Sequence, residues 1–290
     1  MRNRLRILIF FMLSSSMILG QTDSIVYKQT PQGDLKLHFD YPPDWKASDS
    51  RPAIVFFFGG GWKNGNVSHF SRQAAYLAKR GMVAVRADYR VRSRHGTTPD
   101  KCVEDGKSAI RWVRANAGML GIDPDMIVGS GGSAGGHVAA CAAFVVGLEA
   151  EGEDLSISSK PNLLVLFNPV METTSERISG MIGDKKMAET ISPNKWIRKD
   201  MPPGIMFFGT DDKLIEPAIR SLPLAVSKGV YLELWTAEGE GHSFFNQAPW
   251  FQWTLYLTDR FLQKNGYLDG EAVIKLPEEV TMEPYQPEGL

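Results

Sequence analysis

The 290-residue sequence contains only two cysteines, Cys102 and Cys141. Two cysteines are too few for a disulfide framework, and no Cys-x-x-Cys spacing indicates a metal site. One disulfide bond and two buried, unpaired thiols are both compatible with the sequence. The five histidines have no metal-ligand spacing either, so we expect no bound metal.

The sequence also lacks an excess of charge of either sign, because 32 Lys and Arg are balanced by 33 Asp and Glu, which gives a formal net charge of -1. Such a chain has no long-range field that would attract the phosphates of a nucleic acid. The phosphate-loop pattern G-x-x-x-x-G-K-[ST] is absent as well. We therefore expect a small or neutral substrate, with no nucleic-acid partner and no cofactor.

No apolar run reaches the roughly 20 residues that a membrane-spanning helix needs. Near the N-terminus, three arginines precede the apolar run at residues 7–12, and three serines separate it from residues 17–20. This pattern is typical of a secretory signal peptide. We expect residues 1–20 to be removed by cleavage after Gly20, leaving a periplasmic or secreted protein without a membrane anchor. An uncleaved N-terminal anchor is the alternative.

From about residue 24, short apolar runs alternate with longer amphipathic ones, which is typical of strands and helices around a largely parallel sheet. We predict eight strands, at residues 25–28, 35–39, 53–58, 82–87, 126–129, 163–167, 205–208 and 231–235. We predict helices at about residues 69–79, 101–115, 135–146, 216–228 and 250–263. One domain should cover residues 21–267, and a Pro- and Glu-rich tail, residues 268–290, should lie along the surface or reach a neighbour.

The stretch "VGSGGSAGGH" around Ser133 fits two different chemistries. From Gly129 it matches G-x-G-x-x-A, a dinucleotide-binding loop, with Glu149 about 20 residues further on as a candidate ribose ligand. From Gly131 it matches G-x-S-x-G, the turn in which a strand delivers a serine to the start of a helix. In the second interpretation Ser133 is a nucleophile, and Gly131 and Gly135 relieve crowding around its strained backbone.

A serine nucleophile needs a base and a group that orients the base, each at the end of a later strand. The segment "FFGTDDKLIEPA" places Asp211 and Asp212 after the seventh predicted strand, and "AEGEGHSFFN" places His242 after the eighth. Ser, Asp, His is the chain order that this turn uses. The dinucleotide interpretation leaves these residues without a role, so we favour the nucleophile. The remaining histidines are interpreted as solvated or packing residues: His38, His69, His95 and His137.

Backbone donors for the oxyanion of a tetrahedral intermediate are predicted in "VFFFGGGWKNG". Gly59, Gly60 and Gly61 follow an apolar strand, where glycine lets main-chain N–H groups approach a substrate closely. The N–H of Ala134, next to the serine, completes the set. Each such donor lowers the barrier by roughly 3 kcal/mol. An ordinary glycine turn is the alternative.

Together these motifs resemble the α/β-hydrolase superfamily, and within it the hormone-sensitive-lipase-like esterases and related bacterial carbohydrate esterases. The similarity extends from about residue 26 to residue 262, through "FGGGW", "ADYR", "AIRWVRANA", "GIDPDMI", "GGSAGGH" and "GTDDKLI". The resemblance implies a serine esterase with an α/β-hydrolase fold. Such a fold has a mostly parallel central sheet of about eight strands, with helices on both faces.

Carried over by position, the resemblance implies that Ser133 is the nucleophile, that His242 is the general base and then acid, and that Asp212 orients His242. Pro217 comes one residue later than the family pattern expects, which leaves Asp211 as a minor rival of Asp212. All three roles of a catalytic triad therefore have a candidate in this chain.

The resemblance also implies that the backbone N–H groups of Gly60, Gly61 and Ala134 form the oxyanion hole. Phe58 departs from the family pattern, which usually has a histidine before its glycines. That histidine is understood to brace the loop without reacting. Phe58 therefore raises the question of how this loop is held.

Many relatives cover the site with a long N-terminal cap, whereas cleavage after Gly20 would leave only a few residues before the first strand. Only the excursion at residues 171–200 can then roof the site, so we expect a minimal cap and a shallow, open pocket. Such a pocket suits a short acyl group on a bulky alcohol and, with export, resembles that of an esterase that removes acetyl groups from a polysaccharide. Trp62 and Phe244 are candidate walls, with core packing as the alternative for each.

Other functions stay open from the sequence, as does the oligomeric state. A feruloyl esterase or a serine peptidase would use the same triad with a deeper pocket. An NAD(P)-binding oxidoreductase would use the dinucleotide loop instead. A non-catalytic binding module on the same fold is disfavoured, because such proteins tend to lose triad residues.

Overall fold

Nine strands form one mixed sheet in the computed structural model, which describes residues 24–286. The strands are β1 (Ser24–Thr30), β2 (Gly33–Asp40), β3 (Arg51–Phe57), β4 (Val83–Ala87), β5 (Ile122–Gly132), β6 (Leu163–Phe167), β7 (Gly204–Gly209), β8 (Leu232–Ala237) and β9 (Glu283–Pro284). Their order in the sheet is β1-β2-β4-β3-β5-β6-β7-β8-β9. The strands from β4 across to β8 pair in parallel, whereas β1 with β2, β2 with β4, and β8 with β9 pair antiparallel. This arrangement confirms the predicted fold class.

The central strands are apolar along nearly their whole length because helices cover both faces of the sheet. β6 and β7 are buried at every position, and β3 is buried from its third residue onward. All eight predicted strands are present. β9 was not predicted, because a two-residue strand in a Pro- and Glu-rich tail has no periodic signal.

Nine helices connect and cover the strands within the described part of the chain. They are α1 (Ser71–Lys79), α2 (Arg92–His95), α3 (Pro99–Ala115), α4 (Ala117–Leu120), α5 (Ala134–Phe144), α6 (Glu176–Ile182), α7 (Lys185–Thr190), α8 (Ile215–Ser227) and α9 (Trp250–Lys264). The five longest correspond to the predicted helices, whereas α2, α4, α6 and α7 are too short to show helical periodicity. Between residues 24 and 286, no helix has the length and apolar character required to cross a membrane.

Two apolar layers enclose the sheet. On β3, Ile54 and Phe56 join the layer of α1 and α9, whereas Val55 and Phe57 join the layer of α3, α5 and α8. Successive side chains of a strand point to opposite faces, so one strand contributes to both layers.

The carboxyl ends of the parallel strands meet at one edge of the sheet, where ligand sites of such folds form. The loops after β3, β5, β7 and β8 carry the predicted site residues to this edge. The excursion between β6 and β7 folds into α6 and α7. The tail contributes β9, and its Leu268 and Met282 are buried. The predicted signal peptide, residues 1–20, lies outside the described residues.

Candidate active site

A sharp turn between β5 and α5 carries Ser133. Its backbone has φ 53° and ψ -119°, a strained conformation for a residue with a side chain. The flanking glycines have no room for a side chain: a Cβ on Gly131 would lie 2.5 Å from the carbonyl carbon of Gly135, and a Cβ on Gly135 would lie 2.0 Å from the carbonyl oxygen of Phe57. The two glycines therefore let strand and helix approach closely enough to hold Ser133 at the N-terminus of α5.

Ser133, His242 and Asp212 form a hydrogen-bonded chain. The Ser133 hydroxyl lies 2.8 Å from His242 Nε2, and His242 Nδ1 lies 2.7 Å from Asp212 Oδ2. Asp212 is only 3% exposed, and its Oδ1 accepts a hydrogen bond from the Leu214 N–H at 2.9 Å. Because an ionised carboxylate only accepts, the imidazole proton sits on Nδ1, and Nε2 can accept from the Ser133 hydroxyl.

The structure places Asp212, and not Asp211, beside His242. Asp211 is exposed and lines the cavity in front of Ser133. Its backbone N–H donates to the carbonyl of Glu240, which ties the turn after β7 to the segment before His242. The turn thereby separates two neighbouring carboxylates into a buried one against the histidine and an exposed one at the cavity.

Asn168, which is not among the predicted site residues, also contacts the loop that carries His242. Its Oδ1 accepts from the Ser243 N–H at 3.1 Å, and its Nδ2 lies 3.4 Å from His242 Nε2. Asn168 is fully buried and directly follows β6. A polar residue immediately after an apolar strand was the signal that could have identified it.

The glycine loop after β3 lies against the serine. A Cβ on Gly59 would lie 3.5 Å from Ser133 Cβ, and Gly60 and Gly61 have φ of 134° and 61°, which favour glycine. Among the residues that the structure describes, none accepts a hydrogen bond from the N–H groups of Gly60, Gly61 or Ala134. Gly61 and Ala134 line the same cavity as Ser133. These N–H groups are therefore available to a negatively charged oxygen beside the serine.

Phe58, the departure from the family pattern, belongs to a buried aromatic pair. Its ring stacks on Tyr89 with 4.1 Å between ring centroids, and the Tyr89 hydroxyl donates to the Phe58 carbonyl at 2.6 Å. The next N–H, that of Gly59, donates to His69 Nδ1 at 3.0 Å. His69, interpreted from the sequence as solvated or packing, thus makes a specific hydrogen bond to the glycine loop.

A cavity of about 340 Å³ opens in front of Ser133 and His242. Ile178 and Met181 of α6 form part of its wall, so the excursion between β6 and β7 roofs the site as predicted. The remaining wall residues are Gly61, Trp62, Ala134, Val170, Arg177, Asp211, Asp212, Lys213 and Leu214.

The two aromatic residues predicted as walls occupy different positions. Trp62 lines the cavity, is 4% exposed, and donates its indole N–H to His137 Nδ1 at 3.2 Å. Phe244 does not line this cavity and packs against Trp250 instead, with 6.1 Å between ring centroids. The prediction for Phe244 is corrected because Ser243, at φ 71°, turns the chain so that the next side chain enters the core.

His137 is fully buried beneath the cap. Its Nε2 lies 2.8 Å from the Ile191 carbonyl while Nδ1 accepts from Trp62, so the ring is neutral with its proton on Nε2. Burial lowers the pKa of His137 to about 4. Cys102 and Cys141 are also buried, and both are free thiols.

The dinucleotide interpretation finds no support at Glu149. Its carboxylate pairs with Lys107 at 2.7 Å and with Arg111 at 2.6 Å. Helix α5 ends at Phe144 and β6 begins at Leu163, so Glu149 does not end the second strand of a nucleotide-binding unit. Over the described range, no group of three or more His, Cys, Asp or Glu side chains is arranged to hold a metal ion.

Comparison with known proteins identifies relatives in several groups. A family model described as BD-FAE matches residues 40–224. The chain is 31% identical over 252 residues to a probable isoprenylcysteine alpha-carbonyl methylesterase, ICMEL1, of Arabidopsis thaliana, covering 78% of this chain and 52% of the relative. It is 30% identical over 194 residues to a probable carboxylic ester hydrolase, LipM, of Mycobacterium tuberculosis, covering 60% and 44%. The chain thus spans about half the length of these curated relatives.

Among solved structures, the chain is similar to the apo form of Thermogutta terrifontis esterase 2. The TM-score is 0.82 and the sequence identity 46%, over 86% of this chain and 96% of that chain. Structures of the same esterase with propionate bound and with butyrate bound match with a TM-score of 0.81. Another match is that esterase phosphonylated by sarin. The similarity therefore covers nearly the whole of that chain in both fold and sequence.

Proposed function

Because the chain belongs to the BD-FAE family of α/β-hydrolase esterases, we propose that it is a serine carboxylic-ester hydrolase whose nucleophile is Ser133. The observation that carries this proposal is the hydrogen-bonded chain from Ser133 through His242 to Asp212 at an apolar cavity. A serine hydroxyl becomes nucleophilic when an adjacent base takes its proton and a third group orients that base.

In the proposed reaction, His242 Nε2 takes the hydroxyl proton while Ser133 Oγ bonds to the ester carbonyl carbon. The carbonyl oxygen becomes an anion, which the N–H groups of Gly60, Gly61 and Ala134 stabilise. His242 then gives its proton to the alcohol oxygen as the bond from that oxygen to the carbonyl carbon breaks. The alcohol leaves, and the acyl group stays on the serine.

A water molecule releases the acyl group by the same steps. His242 takes a proton from the water, whose oxygen attacks the acyl carbon, and then returns that proton to Ser133 Oγ as the acid departs. Asp212 stays ionised throughout and stabilises the imidazolium that forms in both halves of the reaction. The nearly complete burial of Asp212 favours this role, because water screens little of the attraction between its carboxylate and the His242 imidazolium.

We further propose that the acyl group is short and that acetyl esters of a polysaccharide or oligosaccharide are the natural substrates. A volume of about 340 Å³ is near the lower end of the roughly 300–1,000 Å³ of small-molecule sites, and α6 closes one side of it. The binding of propionate and butyrate by the Thermogutta esterase supports a short acyl group. The bulky alcohol would then remain outside the cavity.

The proposed setting of this reaction is the periplasm or the medium. The basic start and short apolar run of residues 1–20 support export, which would bring the enzyme to polysaccharides that do not enter the cell. Determining the N-terminus of protein recovered from each compartment tests this: a mature chain beginning near residue 21 outside the cytoplasm is expected. Full-length protein retained in the cytoplasm would contradict export.

Turnover of acetyl, butyryl and feruloyl esters and of a peptide substrate tests the acyl specificity. We expect the highest kcat/KM on the acetyl or butyryl ester and release of acetate from acetylated polysaccharides. A preference for the feruloyl ester or for the peptide would assign the site to the corresponding rival function.

Substitution of Ser133 tests the nucleophile itself. Ser133→Ala should lower kcat on a short-chain aryl acetate by about 10⁴-fold or more. Ser130→Ala is the matched control, because Ser130 lies on β5 just before this turn and its hydroxyl donates to the Val165 carbonyl inside the sheet. Near-normal activity of the Ser133 variant would refute the assignment.

A further inference from the structure

The side chain of His69 joins the glycine loop to the loop that carries His242. The Gly59 N–H donates to His69 Nδ1 at 3.0 Å. On the other side of the ring, Nε2 lies 3.1 Å from Asn246 Oδ1. Asn246 ends the turn that follows His242 and lies 177 positions after His69, so one imidazole connects the glycine loop to a distant segment of the chain.

Both hydrogen bonds require the same form of the His69 ring. Nδ1 accepts from Gly59 only when it carries no proton, so the ring is neutral and Nε2–H donates to Asn246 Oδ1. The Asn246 amide is oriented accordingly, since its Nδ2 donates to the Ser243 carbonyl at 3.1 Å. Burial lowers the pKa of His69, which favours this neutral form.

His69 and Tyr89 hold the two ends of one peptide group. The Tyr89 hydroxyl donates to the Phe58 carbonyl at 2.6 Å, and the N–H of that same peptide group, the N–H of Gly59, donates to His69. Because a peptide group is planar, a bond at each end fixes the orientation of the whole plane. The residues that follow are glycines with wide backbone freedom, so the direction of their N–H groups depends on this fixed plane.

We propose that His69 is a positioning residue that, together with Tyr89, aligns the glycine loop so that the N–H groups of Gly60 and Gly61 face the oxyanion. This inference rests on the proposed esterase function. It also answers how the loop is held with Phe58 in place of a histidine, because the bracing imidazole comes from a later segment of the chain.

Variants at position 69 separate the two hydrogen bonds of the ring. His69→Ala removes both hydrogen bonds and should lower kcat by about 10- to 100-fold with little change in KM. Removing a whole oxyanion donor lowers kcat by roughly 10²–10³-fold, and misaligning the donors should lower it less. His69→Asn places an oxygen near the position of Nδ1 and should restore kcat to within about threefold of wild type. His69→Gln reaches toward Asn246 but gives up the acceptor for Gly59, so its kcat should stay low.

Tyr89→Phe tests the other end of the peptide group. It keeps the ring that stacks on Phe58 and removes only the hydroxyl, so kcat should again fall while KM stays nearly constant. His38→Ala is the control for a histidine outside the site, on β2, and should leave kcat unchanged. All variants are compared on a short-chain aryl acetate, with melting temperatures measured in parallel.

Two results would overturn the inference: wild-type kcat in His69→Ala, or equal kcat in the Asn and Gln variants. If the Ala variant does not fold, the comparison of Asn with Gln decides alone. The proposed function fails separately, if wild-type protein does not turn over esters or if Ser133→Ala keeps its activity, and the inference then falls with it.

Discussion

Replacing Asp212 by Asn should disable the enzyme by imposing the wrong tautomer on His242. In the protein one carboxylate oxygen accepts from the Leu214 N–H at 2.9 Å and the other from His242 Nδ1 at 2.7 Å. An amide offers one oxygen and one NH₂ group. With the oxygen on the Leu214 N–H, the NH₂ faces Nδ1 and makes that nitrogen an acceptor, so the imidazole proton moves to Nε2. A protonated Nε2 in a neutral ring cannot take the proton of Ser133.

The energies of the two amide orientations decide which tautomer of His242 dominates. Turning the amide over would set its NH₂ against the Leu214 N–H and leave a buried donor unsatisfied, which costs about 1–3 kcal/mol, so the inactive tautomer dominates. Wrong-tautomer variants of such triads lose about 10⁴-fold in kcat, equivalent to about 5.5 kcal/mol of barrier, and we expect the same loss here.

Asp211→Asn is the matched control, because it makes the same change in the neighbouring, exposed residue. Its kcat should stay within about threefold of wild type. Initial rates on a short-chain aryl acetate, with circular dichroism to verify folding, measure both variants. More than about a tenth of wild-type activity in Asp212→Asn, or an equal loss in the two variants, would refute this role of Asp212.

Two further predictions concern stability. Gly135→Ala should lower the free energy of unfolding by about 3 kcal/mol, because its Cβ would lie 2.0 Å from the Phe57 carbonyl oxygen. A Cβ on Gly180 in α6 would meet nothing within 4 Å, so Gly180→Ala should raise the free energy of unfolding by about 0.5–1 kcal/mol. Urea denaturation measures both variants, and equal effects would contradict the difference in packing. The pKa of His137 is lowered to about 4 in the folded protein, against about 6.5 when unfolded, so the unfolded state binds more protons between these values. The stability contributed by neutral His137 is therefore fully present above about pH 6.5 and is lost as the pH falls toward 4. His137→Gln should flatten this dependence in urea titrations at several pH values. An unchanged slope of the free energy of unfolding against pH would contradict this prediction.

The fold and the hydrogen-bonded chain of Ser133, His242 and Asp212 could be predicted because short stretches of sequence indicate each of them. Apolar runs at residues 163–167 and 205–208 mark β6 and β7, and the helical period marks the five longest helices. Ser133, Asp212 and His242 each follow a strand, at one, three and five residues after its end, in a motif only a few residues long. Because parallel strands bring their carboxyl ends together, the order along the chain predicts that these residues meet.

Contacts that depend on how distant segments pack could not be predicted. His69 meets Gly59 and Asn246 only because the glycine loop after β3 and the turn before α9 lie on opposite sides of its ring. In the sequence Phe244 lies near His242 much as Trp62 lies beside Gly61, but the left-handed conformation of Ser243 turns the Phe244 side chain into the core. No periodic pattern in the sequence predicts a left-handed backbone conformation at a loop residue or a contact between two loops.

The short strand β9 has a consequence for how the molecule behaves in concentrated solution. Without it, the outer side of β8 would present unpaired N–H and C=O groups, a template on which a strand of another molecule can add. Instead Trp235 pairs with Pro284, and the Tyr285 N–H donates to the Leu234 carbonyl at 2.7 Å. Pro284 has no N–H to offer to a further strand. The described part of the tail, up to residue 286, contributes no residue to the cavity and instead protects this edge of the sheet against edge-to-edge aggregation.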